Sequence, residues 1–328
     1  MTPLSIALFC FILFPVASLM YVYRFRGEQR FTGPVEYFRK GWPIFAPLNV
    51  LLYGFSSKKA KDPILDLTDF PELKVLEENW QVLQEEALAL YKNGYFDSTT
   101  DKNNQSYYDV GFRTFYKYGW SKFYCKWYGT VHNSARQHCP KTVELLEGID
   151  SVNGAMFTLL PPGSKLTRHL DPIACSLRYH LGLSTPNDDD CFISIDGNVH
   201  SWRDGKPLLF DETYLHFARN DTDTPRLILM CDVERPMFFL GRGFNFLYKK
   251  ILSMMLVPNL AGDKAGLFSR VFSGVSPILA RGKDLKKTNR SLYLLIKWSL
   301  NTLIILALLA VVVLISTGLF AIVKSLLA

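Results

Sequence analysis

"CSLRYHLGLSTPNDDDCFISIDGNVHSWRDGKPLLF", Cys175 to Phe210, holds three short apolar stretches, Ser176–Leu183, Cys191–Ile195 and Pro207–Phe210. Pro186-Asn187, Asp196-Gly197-Asn198 and Asp204-Gly205 cut them apart. The stretches are rich in β-formers and the cuts in turn residues, so the segment reads strand, turn, strand, turn, strand. The rhythm continues on both sides. Ala155–Leu160 precedes it across Pro161-Pro162-Gly163, and Leu215–Arg219 and Leu227–Val233 follow it, separated by Asn220-Asp221. Parallel strands need crossovers of about a dozen residues or more, usually helical, and these strands have none between them. The region is therefore mainly β, an antiparallel sandwich or barrel.

Further out, Asp69–Asn93 predicts a helix: Asp69 caps it, Leu73, Leu76, Trp80, Leu83 and Leu88 recur at helical spacing, and Asn93-Gly94 stops it. Cys139–Ile149 reads as a short helix and Phe112–Tyr128 as aromatic-rich β pieces. Gly41–Phe55, "GWPIFAPLNVLLYGF", is apolar but broken by two prolines, and reads either as a buried loop or as a segment at a membrane interface. Met237–Leu260 mixes bulky apolar residues with Arg242, Lys249 and Lys250, the composition of an interfacial amphipathic helix.

Both ends are greasy. Leu4–Tyr23 runs about 20 residues without a charge, enough to cross a bilayer core. No Lys or Arg precedes it and "RFRGEQR" follows, the pattern of an uncleaved anchor rather than a signal peptide. Trp298–Val323 is a second uncharged run, preceded by "RGKDLKKTNR". Both basic flanks face the middle of the chain, which predicts a cytoplasmic middle. The net charge of +7 gathers largely in these flanks, where it suits anionic lipid, and no basic, aromatic-interleaved nucleic-acid motif is present. Six scattered cysteines without a CxxC pair indicate neither a zinc site nor a disulfide framework.

The chemistry gathers in the strand region. His169-Leu170-Asp171 is an HxD whose side chains, two apart on a strand, share a face. His216, in a later strand, would complete two imidazoles and one carboxylate, the facial set of non-haem Fe(II), which leaves positions open. Arg226 opens an apolar strand and suits a salt bridge to a bound small acid, although an edge Arg facing solvent would look the same. Arg178 and His180 share a strand face, either as a solvated stripe or as donors to that acid. His132, His138 and His200 fall in predicted turns or loops and read as surface residues, and Asp188, Asp189 and Asp190 as a solvated acidic turn.

"PPG", "RHLD", "RYHLGL", "SWRDGKPLLFDETYLHFARNDTDTPRLILMCDVERP", in that order between Trp120 and Pro236, resemble the aspartyl/asparaginyl β-hydroxylase family. The resemblance implies a double-stranded β-helix, a cupin-like jelly roll with flanking helices, and a dioxygenase using Fe(II), 2-oxoglutarate and O2. It implies His169, Asp171 and His216 as iron ligands, and Arg226 as the clamp on the distal carboxylate of 2-oxoglutarate. Arg178 and His180 would serve the end of the co-substrate near the metal, and Thr158 stands where the family usually has Ser. Some members carry Gly at the position of Asp171; this chain keeps the carboxylate.

The early stretch "YRFRGEQRF" to "FAPLNVLLYGFSS" resembles the branch of bacterial lipid A 2-hydroxylases. This implies hydroxylation at C-2 of a secondary acyl chain of lipid A at the cytoplasmic face of the inner membrane, with no nucleic acid and no obligate protein partner. A membrane-anchored aspartyl/asparaginyl-type protein hydroxylase and a non-catalytic cupin-like binding protein are the alternatives. The expected division is 1–30 as N-terminal transmembrane anchor and basic flank, 31–68 as juxtamembrane or interfacial segment, 69–236 as dioxygenase domain, 237–297 as amphipathic and basic linker, and 298–328 as C-terminal transmembrane helix.

Overall fold

Along Ser176–Ser184 (β5) side chains alternate in destination, as a pleated strand requires. Leu177, Tyr179, Leu181 and Leu183 enter one apolar cluster, while Arg178 and His180 line a cavity on the other side. The neighbouring long strands Val152–Leu160 (β3) and Arg226–Glu234 (β10) alternate likewise. Phe157, Leu159, Leu227, Leu229, Cys231 and Val233 join the first cluster, and Met156, Leu160, Ile228 and Met230 join a second. A sheet buried on both faces follows from strands apolar on one side and mixed on the other.

These assignments come from a computed structural model that describes residues 13–97, 109, 119–300 and 302–303. Numbered in chain order, the remaining strands are β1 (Ser121–Trp127), β2 (Thr130–Val131), β4 (Lys165–His169), β6 (Cys191–Ile195), β7 (Asn198–Ser201), β8 (Pro207–Phe210) and β9 (His216–Asn220). They form a six-stranded sheet, β2-β1-β3-β10-β5-β8, and a four-stranded sheet, β4-β9-β6-β7. Every strand pairing within them is antiparallel. Residues of both sheets, among them Ile193, Ile195, Ala218, Ile228 and Met230, share the second cluster. Two antiparallel sheets closed over one interior make the expected jelly roll. Asp196 (φ 50°) and Gly197 (φ 90°) turn the β6–β7 hairpin with two left-handed residues, the geometry that follows strand twist.

The outer face of the larger sheet is covered by helices. Trp80–Lys92 presents Leu83, Ala87 and Leu90 to it, and Pro140–Glu147 adds Val143 and Leu146. The helix expected over Asp69–Asn93 is broken into a 3-10 turn, Pro71–Leu73, and two α-helices, Lys74–Glu78 and Trp80–Lys92. Asn79 leaves helical geometry (φ −111°, ψ 21°) while its amide donates to Val75 O at 2.8 Å, the competition with the backbone that disfavours Asn inside helices. Asp69 does not cap this helix; Asp66 instead caps the preceding 3-10 turn through Thr68 N. β4 and β7, too short and polar to stand out as strands, edge the smaller sheet.

Gly41–Phe55 is a 3-10 turn, Pro43–Phe45, running into an α-helix, Ala46–Phe55, rather than a loop. Ala46, Asn49, Leu52 and Tyr53 are buried, whereas Trp42, Ile44 and Leu51 are exposed. The basic flank is divided: Arg26 is folded into the domain, its guanidinium 2.7 Å from Asp211 and stacked over Tyr53 and Tyr214, while Arg24 remains exposed. The histidines expected at the surface are not there. His132 is buried and bonds Val257 O at 2.9 Å; His138 closes the helix Asn133–His138 against the ring of Tyr95; His200 lies half-buried on β7.

Among the described residues no helix is long and apolar enough to cross a membrane. Most of the two expected anchors falls outside those residues: Leu4–Tyr23 is described only from residue 13, helical to 20 and continuing as a π-helical turn, Tyr21–Phe25. Trp298–Val323 is described at 298–300 and 302–303 alone, and the expected β pieces at 112–118 also lie outside. The chain divides into two units, 1–270 and 271–328. The second is helical where it is described; the site belongs to the first.

Candidate metal and co-substrate site

β4 ends at His169 and β9 begins at His216, and the two are register partners, so their rings lie side by side with centroids 4.2 Å apart. Asp171 follows two residues later, its backbone N–H donating to Glu212 O at 2.9 Å. One ligand atom from each of His169, Asp171 and His216 lies within 4.8 Å of the others. His169 Nδ1 is 2.8 Å from Thr167 O and His216 Nδ1 is 2.9 Å from Tyr214 O. A carbonyl only accepts, so Nδ1 carries a proton in both rings, and Nε2 is the nitrogen left to meet a proton or a cation. Burial and then the neighbouring His169 hold the His216 imidazole down to about 4. Burial raises the Asp171 carboxyl, but the hydrogen bond from His169 and the charges of His169, His216 and Arg178 outweigh it and hold the group well below the usual carboxylate range. Two imidazoles and one carboxylate are thus presented together, a donor set for a divalent first-row metal.

The cavity around this cluster is also lined by Trp120, Arg178, His180, Trp202, Phe210 and Glu212. Arg226, fully buried, lies between the rings of Trp120 (5.0 Å) and Trp202 (4.4 Å). Its Nη1 donates to Thr158 Oγ at 3.3 Å, while Nε and Nη2 have no hydrogen-bond partner among the described residues. Among the described residues no carboxylate offsets its burial, which pulls the guanidinium down to about 9. A buried cation with two unspent donors is costly unless an anion completes it. Trp202 Nε1 donates to His180 Nδ1 at 3.3 Å, so His180 Nε2 carries the proton, and it too is a buried donor without a partner. Burial, followed by the charges of Arg226 and Arg178, holds His180 well below its ordinary value and keeps it neutral.

Arg178 is placed differently from its expected role. Nε donates to Glu212 at 2.6 Å, Nη1 pairs with Asp232 at 2.5 Å, and Nη2 reaches Glu212 and, at 3.3 Å, Asp171. The guanidinium is thereby spent on three carboxylates and holds the Asp171 carboxylate from behind. Glu212 and Asp232 escaped the sequence reading. Burial raises the carboxyls of both, and Arg178 opposes it. Asp232 carried a signal, a carboxylate inside the apolar run "LILMCDV"; its meaning needs the β5–β10 register, which sets Asp232 opposite Arg178. Glu212 had none, because its contact with Arg178 spans 34 residues.

The family model described as aspartyl/asparaginyl beta-hydroxylase matches residues 77–236. An ornithine lipid ester-linked acyl 2-hydroxylase from Rhizobium tropici is 30% identical over 196 residues, 58% of this chain and 66% of that protein. The human aspartyl/asparaginyl beta-hydroxylase is 32% identical over 177 residues, 52% of this chain and 22% of that protein. The chain therefore spans just under two thirds of the first relative and about a fifth of the second. Among solved structures, that of a Pseudomonas putida prolyl-4-hydroxylase is similar at 19% identity and a TM-score of 0.26, covering 35% of this chain and 71% of that one.

Proposed function

We propose that the chain, whose residues 77–236 match the aspartyl/asparaginyl β-hydroxylase family model, belongs to that family and is an Fe(II)- and 2-oxoglutarate-dependent dioxygenase that hydroxylates C-2 of a membrane lipid acyl chain. We take the substrate to be a secondary acyl chain of lipid A, met at the cytoplasmic face of the inner membrane. The observation that carries the chemistry is the pairing of the His169–Asp171–His216 cluster with an uncompensated buried Arg226 behind the tryptophans of the same cavity.

The donors fit the groups they would hold. His169, Asp171 and His216 would ligate iron, and Arg178 with Glu212 would fix the Asp171 carboxylate. Arg226 Nε and Nη2, beside the Thr158 hydroxyl, offer charge-assisted bonds to a carboxylate. The neutral His180, which lines the cavity, offers its Nε2–H to a bound acceptor. When bound, the iron and its co-substrate supply the oxidation: 2-oxoglutarate and O2 become succinate and CO2 while one oxygen atom enters a C–H bond. The protein's own part is to hold the ligands in one tautomer, neutralise the acid, and wall the cavity with Trp202, Phe210 and Met230 against bulk water.

A lipid substrate is supported by the uncharged terminal runs, by the likeness to an acyl 2-hydroxylase, and by the aromatic side chains left exposed beside the site. C-2 lies next to the acyl carbonyl, at the polar boundary of a bilayer, so a surface-bound enzyme reaches it without extracting the chain. The test is mass spectrometry of lipid A from cells carrying the chain, the Asp171→Ala variant, or neither. One added oxygen at C-2 with the intact chain alone supports the proposal. The oxygen on an ornithine lipid changes the headgroup but keeps the acyl chemistry. Unmodified lipid beside an oxidised Asp or Asn side chain assigns a protein substrate instead.

A further inference from the structure

The segment that leads into the domain also frames the metal ligands. Arg168 Nη2 donates to Arg30 O, and Leu170 N–H donates to Lys40 O at 3.1 Å. Asn49 donates to Pro172 O at 3.0 Å and accepts from Ala174 N–H at 2.9 Å. Residues 30–49 therefore flank the HxD turn on both sides. Their outer surface is not apolar by default: the helix Pro34–Lys40 and the turn after it could have been polar wherever they do not pack. Instead Phe38, Trp42 and Ile44 are exposed, Ile44 at 77%. Trp42 is held outward with a left-handed backbone (φ 47°), a conformation that costs a non-glycine residue free energy.

A second element extends the surface. The helix Phe239–Ser253 joins Ala46–Phe55 through Phe238 N–H to Phe55 O (2.9 Å) and through stacking of Phe55 on Phe244 (6.4 Å). It buries Gly241 and Asn245 and leaves Phe239 (71%), Phe246 and Leu247 exposed. Cations are interleaved with these side chains: Arg39, Arg242 and Lys250 are exposed, and Lys40 is half-buried. Leu19, Val22 and Tyr23, from the uncharged N-terminal run, pack in the same apolar cluster as Tyr37, Ala46 and Leu52. That run, the exposed aromatics and the HxD turn converge on one part of the domain.

We infer that this surface, formed by Phe38, Trp42 and Ile44 together with Phe239, Phe246 and Leu247, beds into an anionic phospholipid bilayer and brings the metal cavity to the headgroup boundary. Aromatic and aliphatic side chains entering the interface, with Arg and Lys beside them to meet lipid phosphates, are the two parts of interfacial binding. The inference rests on the lipid reading above and specifies how the substrate is met.

The experiment uses the full chain with Cys10→Ser, since the other five cysteines are buried. An environment-sensitive fluorophore is placed on Phe38→Cys, Ile44→Cys, Phe246→Cys and, on the helix covering the opposite face of β5, Val82→Cys. Each protein is reconstituted into vesicles of phosphatidylethanolamine and phosphatidylglycerol. The first three labels are expected to emit to the blue and to be quenched by acyl-brominated lipid, and the label at 82 to report water. Water-like emission at 38, 44 and 246 overturns the inference, and if that same protein still hydroxylates acyl chains the functional reading stands without it. Lipid-embedded labels on a protein that leaves every acyl chain unmodified retain the surface and remove the functional reading. In Phe38→Ser/Ile44→Ser, turnover of vesicle lipid is lost while turnover of a dispersed short-chain lipid persists; equal loss of both overturns the inference.

Discussion

At the scale of single residues, the buried Arg226 is the clearest mark of a place for an anion. Among the described residues its guanidinium meets one hydroxyl and two indole faces, and hydrogen bonds to charged groups are worth about 1.5–3 kcal/mol. Arg226→Met should therefore raise the KM for 2-oxoglutarate by roughly ten- to a hundredfold, measured by succinate formation, and leave metal binding intact. His180 and His132 bear on pH. Both are buried, and burial lowers both imidazoles below their ordinary value. The unfolded chain therefore takes up protons below about 6.5 that the folded chain refuses. Stability is full above that pH and falls as pH drops, by up to about 1.4 kcal/mol per pH unit for each histidine. Urea midpoints of the metal-free protein across this range check the sign, and His180→Gln should make the slope shallower.

At the scale of elements, the loop between β8 and β9 carries the geometry. Asp211 pairs with Arg235 at 2.6 Å and with Arg26 at 2.7 Å, and the next residue, Glu212, holds both Arg178 and the backbone of Asp171. Arg26→Ala leaves Asp211 with Arg235 and Thr213 but removes one of its two guanidinium partners and empties the space against Tyr53 and Tyr214. A loss of about 2–4 kcal/mol is expected from urea unfolding, with weaker metal retention in a chelator competition. Gly182 in β5 is a sharper test of packing: a Cβ there would lie 2.0 Å from Arg203 O, so Gly182→Ala should cost about 1–3 kcal/mol or more, while Gly54→Ala, in helical backbone with open space around it, should cost nothing. Much of this was legible in the chain. β6 and β8 are bounded as their turn residues predict, and β5 and β10 extend their expected stretches by a residue or so. β4 was not among the expected strands because "KLTRH" has no apolar face to reveal it, and the HxD read as lying within a strand instead runs off its end, with Asp171 past His169. Arg178 could not be told from a co-substrate ligand, because its carboxylates come from β10 and the β8–β9 loop and meet it only through sheet pairing.

At the scale of the whole molecule, the jelly roll places His169 and His216 side by side where β4 ends and β9 begins, and the buried Arg226 of β10 beside Thr158 of β3. The segment before the family-matched residues is bonded to both flanks of the ligand turn. The site is thus built by more of the chain than residues 77–236. The central claim is tested most directly by incubating the purified full chain with Fe(II), 2-oxoglutarate, O2 and acylated lipid, and measuring succinate together with the mass of the lipid. The account predicts one succinate for each oxygen gained at C-2, and loss of both products in His169→Ala and in Asp171→Ala. Undiminished iron-dependent turnover in those two variants would contradict it.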